Sequence, residues 1–203
     1  MLFKDNLVVI TSPEDFADEH VLIERMFQQG LSKLHVRKPG RSKQGLDYWL
    51  LGLGLEYRSR CILHSDLNTA LDLEVGGFHA NASFFANPIS TPKPPSFSYS
   101  ASCHSLKEIE DLPPEVDYTF LSPIYDSISK EGYHSAFSNK ELKVFFDLHR
   151  EKTLSLVYAL GGIDKDNLEE VKELGFSGAA LLGGIWNYAD PLNAWIKASA
   201  SLK

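Results

Sequence analysis

The feature of this sequence that most restricts its fold is an alternation. Short apolar runs, several of them β-branched, recur along the chain, and stretches with helical spacing separate them. The first run is Leu7 to Thr11. Ser12, Pro13, Glu14 and Asp15 follow as a helix start: a hydroxyl to cap, a proline for the first turn, carboxylates near the positive end of the dipole. Phe16, Leu22, Ile23, Met26 and Phe27 then recur at helical spacing until Gly30. Further runs at 33–37, 60–64, 77–79, 96–102, 118–121, 154–159 and 178–182 predict seven more strands. Helical stretches are expected up to Arg58, over 67–74, from Ser105, over 140–150 and 164–174, and around Trp195 and Ile196. Eight strand–helix units predict a single (β/α)8 TIM barrel over residues 1–203, in the α/β class. A doubly wound open sheet uses the same alternation. No Gly-x-Gly-x-x-Gly follows the first strand, so its dinucleotide-binding form has no support. The proline-rich stretch from Pro88 to Pro95 reads as a long loop inside the domain.

Composition narrows the partners. Lys and Arg number 20 against 27 Asp and Glu, a formal charge of −7, which argues against a nucleic-acid footprint of clustered basic charge. Two cysteines, Cys61 and Cys103, are too few for a disulfide scaffold and fit a reducing compartment. Charge appears by Lys4 and Asp5, before a signal-peptide core could form, and no apolar run approaches membrane-span length. A cytoplasmic domain with no membrane partner is expected. Trp49, Trp186 and Trp195 on outer elements are the expected anchors if the chain forms a homo-oligomer.

In a barrel the chemistry sits at the C-terminal ends of the strands. Read in order, those ends carry His35 and Arg37, His64 and Ser65, His79, then Ser102 and His104. One histidine at a strand end usually packs rather than reacts; four of the chain's seven at consecutive ends point to chemistry in at least one. Gly161-Gly162-Ile163 after the seventh strand and Leu182-Gly183-Gly184 after the eighth sit where barrels bind phosphate, and glycine lets backbone N–H groups approach an anion. Tight turns alone would also explain glycines there. Ser127, Ser129 and Lys130 add hydroxyls and an ammonium in a polar loop, a second anion cradle or a solvated loop. A zinc-type site from His35, His64, His79 and His104 is a further idea. Its spread over four strands, with Asp66 the nearby carboxylate, argues against it, and no metal is expected.

As an ordered set these segments resemble the thiamine phosphate synthase family, including its thiazole tautomerase branch, the TenI group. The resemblance runs from Leu7 to about Trp186. Leu34 to Arg37 resembles the segment that ends in arginine after the second strand. His64-Ser65-Asp66 through Gly76-Gly77-Phe78-His79 is similar to the asparagine–aspartate segment and its Gly-Val-His. Ser102-Cys103-His104-Ser105 with Glu108 resembles the Ser-x-His-Ser turn, and Asp117 to Tyr125 with Ser127, Ser129 and Lys130 resembles the Gly-Pro-Val-Phe segment and Thr-x-Thr-Lys loop. The resemblance implies a small-molecule partner, a phosphorylated thiazole. The synthase branch couples it to a pyrimidine pyrophosphate with magnesium on two aspartates. Ser65 and Phe84 stand at those two positions here, and the lysine expected after Arg37 is displaced, Lys38 being followed by Pro39. The tautomerase branch needs no cofactor: it moves an exocyclic double bond into the ring, removing one proton and delivering another. Imidazole, with an ordinary pKa of about 6.5, serves as both base and acid. The resemblance therefore implies a metal-independent tautomerase with His104 and His64 as catalytic residues. His35, Arg37, Ser65, His79, Ser102, Ser127, Ser129 and Lys130 would hold the substrate, Arg37 its carboxylate, and Gly161, Gly162, Leu182, Gly183 and Gly184 its phosphate. A synthase with a rearranged magnesium site, using Asp66 or Asp126, and a non-catalytic regulatory relative are the alternatives.

Overall fold

A computed structural model describes residues 3–87, 89–126, 136–149 and 155–202. Eight parallel strands close in sequence order: β1 (Leu7–Ile10), β2 (Lys33–Val36), β3 (Cys61–Leu63), β4 (Gly77–Asn81), β5 (Ser98–Cys103), β6 (Tyr118–Leu121), β7 (Leu156–Ala159) and β8 (Gly178–Leu181), with β8 back on β1. Strands this short leave no usable edge once the ring is closed, because every backbone row then has a partner. Around them lie α1 (Glu19–Gln28), α2 (Lys43–Leu51), α3 (Leu67–Asp72), α4 (Leu106–Glu110), α5 (Asn139–His149), α6 (Leu168–Leu174), α7 (Gly183–Trp186) and α8 (Pro191–Ser201). The expected (β/α)8 barrel is what forms. Between β4 and β5 the outer layer is a 3-10 turn, Ala82–Ala86, and the proline-rich loop. No described helix is long and apolar enough to cross a membrane.

Alternation along each strand sorts the side chains. Leu7, Val9, Leu34, Val36, Cys61, Leu63, Phe78 and Tyr99 point outward into one core shared with the helices. The lumen divides into two halves. Val8, Ile10, Tyr118, Phe120, Tyr158 and Ala180 make an apolar half. His35, His79 and Ser100, all buried, make the other, with half-buried His64 above them. Burial first, then neighbouring positive charge, holds His35 and His64 well below the ordinary imidazole value and His79 at about 3. The three are neutral inside the fold.

Two sequence expectations are corrected. The helix expected from Ser12 begins at Glu19, after Asp18 in a left-handed turn. Residues 12–18 are held as a loop by Lys38. Its buried ammonium donates to both Glu19 oxygens (2.8 and 2.7 Å) and the Glu14 carbonyl (3.2 Å), pairs with Asp15 at 3.1 Å and lies over Trp49. Burial raises the Glu19 carboxyl despite that partner. Two of the three tryptophans are inside the fold and do not anchor an interface. Trp49 and Trp195 are buried, donating to Glu19 and to the Gln29 carbonyl, and half-buried Trp186 donates to the Ile10 carbonyl.

Two outcomes follow in denaturation experiments. Lys38→Met strands a buried carboxylate and is expected to cost about 3–5 kcal/mol, most of it regained when Glu19→Leu is added. A single variant as stable as wild type would mean that the pair contributes nothing. The histidines set the acid limb. Unfolded, they take up protons below about pH 6.5; folded, they do not, so the unfolded state binds more protons and stability falls as pH falls. Each contributes a slope of about 1.4 kcal/mol per pH unit until its folded value is reached. Stability should drop steeply between pH 7 and pH 5, and less steeply in His79→Gln. A flat profile would show that the lumen histidines protonate without unfolding.

Candidate active site

At the C-terminal mouth, the register sets His35 on β2 opposite Ile62, and His79 on β4 opposite Ser100. The His35 Nδ1 lies 2.9 Å from His64 Nε2, and its Nε2 lies 2.8 Å from the Tyr118 hydroxyl. His79 is bonded through Nδ1 to Ser100 Oγ and through Nε2 to Ser102 Oγ, both at 2.8 Å. The His64 and His79 rings stack with centroids 4.1 Å apart. The structure thus brings together His35, His64, His79 and Ser102. Arg37 is exposed one residue past β2, and its charge adds to the lowering of His64 and His79.

His104 stands apart, exposed on the rim after β5. Ser105 caps α4 through Glu108 N–H, and the Glu108 carboxylate reaches back to His104 N–H at 2.7 Å, so the Ser-x-x-Glu spacing fixes this turn. The ring Nδ1 lies 3.1 Å from the Ser122 carbonyl. A carbonyl only accepts, so this contact keeps the ring proton on Nδ1 and leaves a lone pair on Nε2.

The glycine turns are tightly built. Gly161 and Gly162 have φ of 96° and 67°, and a Cβ on Gly162 would come within 2.4 Å of the Asp126 carbonyl. A Cβ on Gly184 would come within 2.2 Å of the Ile163 carbonyl. Close approach of the loops after β6, β7 and β8 therefore requires glycine at these places. Asn167 fixes the middle loop, donating to the Gly162 carbonyl and accepting from Asp164 N–H. Leu182 caps α7 with no side-chain bond, and the first N–H groups of a helix have no partner within it. Ser127, Ser129 and Lys130 lie outside the described residues.

The donors present do not fit the magnesium site that the family resemblance implies. Ser65 offers a hydroxyl, and Phe84 packs against Phe78 and Phe85. Asp66 caps α3, accepting from Thr69 N–H at 2.9 Å and Thr69 Oγ at 2.7 Å, and those bonds pull its carboxyl below the usual range. Lys38 serves the ion cluster outside the barrel rather than the mouth. A four-histidine metal site fares no better. His104 is on the rim, and although His35, His64 and His79 have ring nitrogens within 4.8 Å of one another, His64 and His79 are inclined by only 20°. A ligated metal lies in the plane of each imidazole, and two stacked rings share no such point at bonding distance.

Tyr118 and Ser100 were not among the expected site residues. The signal was available: Ser98, Ser100 and Ser102 alternate along one strand, which puts three hydroxyls on a single face.

Comparison with known proteins agrees with this architecture. A family model described as thiamine monophosphate synthase matches residues 7–185. The thiamine-phosphate synthase of Latilactobacillus sakei is 27 % identical over 189 residues, covering 87 % of this chain and 83 % of its own. That of Methanococcus maripaludis is 26 % identical over 192 residues, covering 91 % and 89 %. A solved thiamine phosphate pyrophosphorylase from Bacteroides thetaiotaomicron superposes with a TM-score of 0.77 at 32 % identity, covering 97 % of this chain and 96 % of that one. Matched from its first strand into the helix after its last, the chain belongs to the thiamine monophosphate synthase family.

Proposed function

We propose that this chain is an enzyme of thiamine biosynthesis that binds a thiazole phosphate and shifts a proton on it without a metal. The substrate reading is supported by the family and by the names of the relatives. For the reaction, those names favour coupling of the thiazole to a pyrimidine, the transferase reading, over tautomerisation. The observation on the other side is the donor set at the mouth: Ser65 and Phe84 in the magnesium positions, with Asp66 committed to capping a helix. Charge stabilisation of a pyrophosphate leaving group depends on such a cation. Moving a proton between two carbons does not, and histidines are what this mouth has.

The turn at Gly161–Gly162 and the start of α7 at Gly183–Gly184 would hold the phosphate with backbone N–H groups. Arg37 would grip the carboxylate with its guanidinium fork. The His104 Nε2 lone pair takes a proton from one substrate position, and His64 delivers one at the other, so the double bond enters the ring with no net proton gained.

Two measurements test this. Conversion of the thiazole carboxylate phosphate tautomer to its aromatic form should fall by roughly two to four powers of ten in His104→Asn, the usual contribution of one acid–base group. Turnover at the wild-type rate would make His104 a packing residue. Crystals soaked in phosphate are expected to hold the anion against the backbone of Gly162 and Gly183. An anion only at the 127–130 loop would reverse the substrate in the pocket.

A further inference from the structure

The lumen histidines do more than fill the barrel. We propose that His64, His35, Tyr118, Ser100, His79 and Ser102 form a neutral proton relay that enters and leaves at the mouth, resting on the tautomerase reading and supplying its second proton. The links are His64 Nε2 to His35 Nδ1 (2.9 Å), His35 Nε2 to Tyr118 OH (2.8 Å), Ser100 Oγ to His79 Nδ1 (2.8 Å) and His79 Nε2 to Ser102 Oγ (2.8 Å). The remaining step runs between Tyr118 and Ser100, partners across the β5–β6 pair; no hydrogen bond of ordinary geometry joins their hydroxyls at rest, and the relay requires them to close that one gap. The Ser100 hydroxyl also lies 3.4 Å from the Phe78 carbonyl, a longer contact. The middle members are buried, and the two ends, His64 and Ser102, are half-buried. The His64 Nδ1 has no hydrogen bond to any described residue, which leaves that end of the relay for a ligand.

The proton count balances in both directions. With one hydrogen in each link, pointing from Ser102 toward His64, the chain ends in a proton on His64 Nδ1. When that proton passes to the substrate, His64 Nε2 takes one from His35 Nδ1, and His35 Nε2 takes one from Tyr118. Tyr118 takes one from Ser100, Ser100 one from His79 Nδ1, and His79 Nε2 one from Ser102. Ser102 is refilled at the mouth by a water, which in turn takes the proton that His104 removed from the substrate, so no charge is left behind. Every member is neutral before and after; only the tautomers of three histidines have switched. Burial supports this, holding the histidines unprotonated and the tyrosines protonated, so the low-dielectric lumen never holds a charge. Tyr118 and Ser100 act through their neighbours and are positioning residues.

Tyr118→Phe removes one oxygen and keeps the ring that stacks on Tyr158, so the barrel is expected to fold. Its kcat for tautomerisation should fall about a hundredfold, the low end for one acid–base group, with KM unchanged. Ser100→Ala cuts the next link and should match it. The readout that packing would not move is the proton inventory. The wild-type rate should bow downward against deuterium fraction, as when several protons move together, and become linear in both variants. A linear wild-type inventory, or Tyr118→Phe at the wild-type kcat, would overturn the relay. Should the wild type turn over no tautomer at all, the proposed reaction fails, and the relay is judged on the free protein. Nitrogen-15 shifts of His35 and His64 should report two exchanging tautomers, frozen to one in Tyr118→Phe. A single fixed tautomer in wild type would refute it.

Discussion

His35 lies inside the barrel, so both of its ring nitrogens have to be satisfied by other lumen residues or left unpaired in a medium where that costs about 1–3 kcal/mol each. This requirement organises half of the molecule. It draws His64 over the mouth, turns the Tyr118 hydroxyl inward between apolar neighbours, and leaves His79 to find partners in the two serines of β5. A ring of branched aliphatic side chains would fill the same space with no such demands. The barrel gives up that stability, and in return its mouth carries imidazoles whose orientation is fixed from below.

The fold was legible because its signals are periodic and local. The expected limits of β6 match the structure, and the other strands shift by one or two residues at their ends. Tyr118 to Leu121 lies between Asp117 and the Ser122-Pro123 pair, polar and proline residues that mark its ends in the chain itself. Failures came where a distant partner overrode local preference. Ser12 to Asp15 has every mark of a helix start, yet Lys38, more than twenty residues on, holds the segment open through Asp15 and Glu19. Nothing in the local sequence reports that lysine.

The site was legible in its members but not in its connections. His35, His64 and His79 could be placed at one end of the barrel from strand order alone. Which nitrogen faces which, and that Tyr118 and Ser100 join them, depends on inter-strand register, which side-chain alternation leaves free by steps of two residues. The glycine turns show the same limit. The positive φ of Gly162, and loop contacts closer than a Cβ allows at Gly162 and Gly184, explain these glycines without any ligand, so reading them as a phosphate site rests on their position in the barrel.

We propose a mouth that works by neutral imidazoles rather than by a bound cation, in a family whose matched relatives are named thiamine-phosphate synthases. The most direct test supplies the purified protein with a pyrimidine pyrophosphate, a thiazole phosphate and magnesium, and separately with the thiazole tautomer and a chelator. The account predicts thiamine phosphate no higher than in the enzyme-free control, and full conversion of the tautomer in the chelated sample. Magnesium-dependent formation of thiamine phosphate with release of pyrophosphate would contradict it and make the chain a synthase.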